Sequence, residues 1–246
     1  AQHRLRKEPC GMNFLRRNWY YIGGVIFVVL AIVLAVYWNE MSVLRRLMVM
    51  SYMAVVFHQF EEYAWPGGFP AIYNIVFRPM GNRPERYPLN PQNVLVTNVF
   101  VAWTHYILPI FFPNIIWLGF APLLFGMMQI VLHGIMVNKK MHSIYNPGLI
   151  SIVFMWWPIG IYYIWYVVTN GLAHWWDWPV AVVYMLATLI FGISMPVTHW
   201  ISGENYPIAF TEEVMGGDYV REKMERIQSA AAAPAARLDH DRGEPA

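Results

Sequence analysis

The stretch Leu47-Met48-Val49-Met50-Ser51-Tyr52-Met53-Ala54-Val55-Val56-Phe57-His58-Gln59-Phe60-Glu61-Glu62 decides how this chain is read. It is apolar for most of its length and closes on one imidazole and two carboxylates. On a helix, positions i, i+3 and i+4 share a face, so His58, Glu61 and Glu62 are predicted to converge. Ionisable groups inside an apolar span are costly and mark function. An imidazole and two carboxylates on one face make half of a metal site.

Composition extends the membrane reading to the whole chain. Of 246 residues, 57% are hydrophobic and 13% charged, against about 25% charged in a soluble domain. Lipid must cover much of the surface. A single Cys10 excludes a disulfide framework and a thiolate metal cluster. A net charge of +2 gives no basis for nucleic-acid binding.

A crossing needs about 20 mostly apolar residues. Six segments meet that length: 19–38, 43–65, 93–112, 114–137, 148–168 and 179–200. The fold expected is an all-α membrane bundle of about six transmembrane helices. It divides into an N-terminal segment (1–18), a transmembrane domain (19–200) and a polar C-terminal tail (201–246). The first apolar run has full membrane length and no small-residue cleavage site after it, so it reads as a span and not a leader. Residues 66–92 are rich in Pro and Gly and are predicted to form a long loop, functional or disordered. A short amphipathic helix is expected over 211–228. The Ala/Pro-rich stretch 230–246 reads as disordered on its own.

Basic residues in the connections set the orientation. Arg4, Arg6, Lys7, Arg16 and Arg17 precede the first span; Arg78, Arg83 and Arg86 follow the second; Lys139 and Lys140 follow the fourth. Only Arg45 and Arg46 fall on the opposite side. Both termini and the Pro/Gly-rich loop are therefore expected in the cytoplasm.

Orientation gives each polar group a depth. His58, Glu61, Glu62, His133, His142 and His199 fall on the cytoplasmic side, and His105 lies near the middle of the third span. His174, in the Trp-rich outer loop, lies opposite and reads as part of an interfacial anchor. Imidazole with carboxylate is the ligand set of zinc and non-haem iron, and paired glutamates can bridge two metals. The expected ligands are His58, Glu61, Glu62, His133 and His142, with His105 and His199 as further candidates. Glu62 is also a candidate catalytic base. Gln129, Asn98 and Asn138 are positioned to orient ligands. The plainer reading pairs the glutamates with Arg78, Arg83 or Arg86 and gives the histidines helix–helix hydrogen bonds or solvated positions.

The pentad His58 to Glu62, the Asn-x-x-x-His element Asn138 to His142 and the turn Tyr145 to Gly148 together resemble the HXXEE-domain integral membrane proteins of bacteria and archaea. His133 corresponds to a histidine of the preceding helix in that family. The resemblance covers about 45–168. It implies a membrane fold with a polar site and names no reaction; the expected location is the bacterial inner (cytoplasmic) membrane. Membrane desaturases use His-x-x-His-His boxes, and no adjacent histidine pair occurs here.

Two functional readings follow. One is a metal-dependent enzyme carrying one or two Zn or Fe ions and acting on a lipid or other apolar substrate. The other is a non-catalytic subunit of a larger membrane complex, held by other membrane subunits through the C-terminal tail. A transporter is disfavoured by the lack of an internal repeat.

Overall fold

The computed structural model describes residues 10–216, 222 and 223. Helix is the only regular structure among them. The long helices are α1 (Cys10–Val36) and α2 (Val43–Tyr63). A short α3 (Phe69–Ala71) opens into wide π-type turns (Ile72–Phe77). Then follow α4 (Pro91–Phe111), α5 (Ile116–Met141), α6 (Leu149–Thr169) and α7 (Asp177–Trp200). The expected tail 230–246, and part of the expected helix 211–228, lie outside the described residues.

Five helices are long and apolar enough to cross a bilayer: α1 from Met12, α4, α5, α6 and α7. The chain is a multi-pass integral membrane protein. The sequence reading counted α2 as a sixth span; it has the length, at 21 residues, but carries Arg45, Arg46, Glu61 and Glu62. Packing explains why these charges are tolerated. Helix α2 lies at the centre, against α1, α4, α5 and α6. Its buried residues include Leu47, Met48, Val49 and the unbroken run Ser51–Val56, so they cover every face of the helix. Protein, not lipid, surrounds it. By contrast α1 presents Val25, Val28, Ile32 and Val36 outward, as a lipid-facing helix should.

Local chemistry fixes the ends. Ser42 Oγ accepts from Arg45 N and starts α2. Asn90 and Asn93 cap α4 reciprocally, in front of Pro91 at the first helical position. Asp177 accepts from the backbone N–H groups of His174 and Trp117, tying the start of α7 to the start of α5.

Residues 66–92 are more ordered than their composition predicted. Asn74 donates to the carbonyls of Pro84 and Leu89 and accepts from Leu89 N. One buried amide thus closes the loop on itself, and α3 becomes a lid over one end of α2.

Helices α4, α5, α6 and α7 each widen into π-type turns, over Val96–Trp103, Ile130–Val137, Ile152–Trp156 and Thr188–Ser194. Such turns are rare and gather at functional sites. Here all four segments contribute walls to one cavity beside His58 and His133.

Candidate metal centre

The pentad sits in the last two turns of α2, where His58, Gln59, Glu61 and Glu62 are all buried. The i, i+4 pair brings His58 Nε2 to 3.5 Å from Glu62 Oε1. Across the interface, α5 delivers His133 Nε2 to 3.5 Å from the same oxygen. The three donor atoms lie within 4.8 Å of one another.

The tautomers follow from neighbours whose roles are fixed. Asn146 Nδ2 donates to the backbone carbonyl of His133 at 2.7 Å, so its Oδ1 is the acceptor that faces His133 Nδ1, also at 2.7 Å. Nδ1 therefore carries the proton and Nε2 keeps its lone pair. Asn138 Oδ1 accepts a second bond from Asn146 Nδ2 and holds that amide in place. His58 Nδ1 lies 3.0 Å from the carbonyl of Gly148 and 2.9 Å from Ser151 Oγ, whose own proton goes to the same carbonyl. It too must be the protonated nitrogen. His133 Nε2 is buried and has no hydrogen-bond partner among the described residues.

Two imidazole lone pairs and a carboxylate oxygen thus face one point with no hydrogen among them. One proton bridges only one pair and leaves the third atom bare, and a spacing of 3.5 Å is long for a hydrogen bond. The same spacing is close to the edge of a tetrahedron, roughly 3.4 Å, around an ion with bonds of about 2.1 Å. The residues present fit a transition metal.

The walls are packed to hold this arrangement. Phe69 stacks on His133 with centroids 4.9 Å apart, and Trp156 lies against His58 at 4.9 Å. Gly148 has φ 101° and meets both rings: a Cβ there would lie 2.6 Å from His58 Cε1 and 2.8 Å from His133 Cε1. Only glycine fits both the backbone conformation and the space.

Glu61 is buried beside the site but does another task. Its Oε1 accepts from Ile150 N and Tyr145 Oη, and its Oε2 from Ser151 N. These amides are orphan donors in the first turn of α6, where a carboxylate is favoured. Glu61 caps a helix other than its own. Neither glutamate is paired with Arg78, Arg83 or Arg86; Arg83 and Arg86 bind Glu85 instead.

Three of the seven residues expected as ligands, His58, Glu62 and His133, come together. His105 is buried elsewhere, against Thr188 and Tyr184 of α7. His142 ends α5 in a left-handed conformation, φ 47°, and is exposed. His199 is exposed near the end of α7. Of the orienting residues expected, Asn138 acts through Asn146, whereas Asn98 binds Gln59 and Gln129 lines the cavity. Asn146 and Ser151 were missed. The Asn-Pro-Gly sequence signalled a turn, and nothing in it signalled that its asparagine would hold an imidazole.

Residues 47–163 match the model of a family described as a protein of unknown function with HXXEE motif. This segment is similar to that family. It contains most of α2, all of α3 to α5 and most of α6, and with them every residue of the three-membered group and its hydrogen-bonding partners. No curated protein matches the chain, and no solved structure matches it.

Proposed function

We propose that His58, Glu62 and His133 hold one transition-metal ion and that the protein is a metal-dependent membrane enzyme acting on an apolar substrate. The observation that carries this reading is the convergence of two neutral imidazole nitrogens on one carboxylate oxygen, the His58 tautomer fixed by the Gly148 carbonyl and the His133 tautomer by the side-chain oxygen of Asn146. Two imidazoles and a carboxylate with a position left open are the ligand set of catalytic zinc and of non-haem iron. The two nitrogen–oxygen spacings of 3.5 Å suit zinc, which when bound polarises a carbonyl or activates water for hydrolysis.

An adjoining cavity of ≈ 250 Å³ supports catalysis over a purely structural metal. Glu62 is the only carboxylate lining it among the described residues. Glu62 is therefore the carboxylate available for proton transfer at the site. The basic residues of the connections support a site at the cytoplasmic end of the bundle, and the bacterial inner membrane is the location that goes with this reading.

Elemental analysis of purified protein tests the proposal. About one zinc or iron per chain is expected in the natural protein, with little in His58→Ala and Glu62→Ala, and loss of acyl-ester hydrolysis in step. Equal and negligible metal in all three proteins would overturn it.

A further inference from the structure

The cavity beside the metal group joins two unlike environments. Part of its lining is apolar, with Val55, Ala102 and Phe125 buried and Leu189 and Ile193 beside them in the lining. Its lining also includes Phe77 and the exposed Arg78, at the end of the π-type turns that follow α3. Glu62 and His133 line the same space.

Arg78 is exposed, lines this cavity, and its guanidinium makes no hydrogen bond or ion pair among the described residues. The nearest acid in sequence, Glu85, is already engaged by Arg83 and Arg86. A second cation stands close by: Lys140 Nζ donates to the carbonyl of Phe77 and lies 5.4 Å over its ring. Among the described residues the mouth is thus positive, with no ion pair to either cation, as basic pockets between membrane helices are where they take anionic head groups.

The side of the cavity is close to lipid. The first half of α7, Asp177–Ala187, packs on α5, but the next segment, Thr188–Ser194, packs on α4. Leu132 of α5 and Ile193 of α7 are then left lining the cavity, while their neighbours Val131 and Ile190 are exposed apolar residues. Gln129, one turn from His133, lines the same space with no side-chain hydrogen bond among the described residues. At ≈ 250 Å³ the space falls below the roughly 300–1,000 Å³ typical of drug-sized ligands. It suits one acyl chain and not two.

We infer that this cavity binds an anionic single-chain amphiphile, with its carboxylate or phosphate on Arg78 and its chain running past Glu62 into the apolar part. This names a substrate class for the metal site and rests on that site being the reactive centre. Arg78 is a specificity-determining residue in this reading, and Gln129 offers a polar contact near the reacting group.

The test is equilibrium binding of radiolabelled palmitate, palmitoyl lysophosphatidate and neutral monopalmitoyl glycerol to the full-length protein in an uncharged maltoside detergent, with metal content measured on the same samples. At least one anionic probe is expected to bind saturably, about tenfold or more tighter than the glycerol ester. Palmitate alone assigns the head group as carboxylate, lysophosphatidate alone as phosphate, and both as either anion. Arg78→Gln should weaken the anionic probes about tenfold and leave the neutral one and the metal unchanged. Arg78→Lys should restore most of the loss. Ile193→Trp should abolish binding of all three. Arg78 binds Tyr73 through its backbone N–H alone, and its side chain has no partner among the described residues, so its variants should elute as the natural protein does. Absence of saturable binding, or equal affinity in Arg78→Gln, would overturn the inference even if metal is present. Arg78-dependent binding without any metal would uphold it and overturn the metal reading instead.

Discussion

Asn146 grips His133 at two points, donating to its backbone carbonyl and accepting from its Nδ1, both at 2.7 Å. The imidazole therefore cannot turn without breaking a buried bond, and its Nε2 is left aimed at Glu62. Partners that orient metal-bound histidines typically contribute about 10–100-fold to metal affinity. Asn146→Ala should weaken metal binding by about that factor. Competition with a chromophoric chelator measures it, and unchanged affinity would remove Asn146 from the site.

The two glutamates of the pentad should separate cleanly. Glu61→Gln removes a charged acceptor from the first turn of α6, costing about 1.5–3 kcal/mol, and should lower the melting temperature while keeping metal. Glu62→Gln should lose metal without a comparable loss of stability in the metal-free form. Thermal melts of metal-stripped and metal-loaded protein distinguish the two. If both variants lose metal equally, the division of labour is wrong.

Gly148→Ala should damage both fold and site, because the added methyl meets both imidazoles and the backbone has φ 101°. A cost above about 1 kcal/mol is expected from the backbone alone. Native-like melting with full metal content would contradict the close approach seen here.

Histidines outside the group should be dispensable for metal. His142→Ala and His199→Ala, both at exposed positions, should keep metal content and stability. His105→Ala should lower stability only, since its ring is buried between α4 and α7. Metal lost in any of the three would mean a larger site.

The helices were largely legible because bilayer thickness sets span length: the expected 93–112 and 148–168 lie within two residues of Pro91–Phe111 and Leu149–Thr169 at each end. The central place of α2 was not legible, since a helix buried by protein and one buried by lipid share an apolar composition. His58, Glu62 and His133 could be brought together by depth alone. Glu61 could not be told from Glu62, because i+3 and i+4 differ by only about a quarter turn and the choice is made by α6. Asn146, Ser151 and Gly148 act through the fold of a turn, which spacing along the chain does not encode. His142 was misleading for a related reason: one residue past a helix end, the face of the helix no longer sets direction.

X-ray absorption at the metal edge of the natural protein, beside His133→Ala, tests the central claim most directly. Two imidazole nitrogens and a carboxylate oxygen at about 2.0–2.2 Å are expected, with one imidazole lost in the variant. A spectrum of oxygen ligands only, or one unchanged by removing His133, would contradict the account.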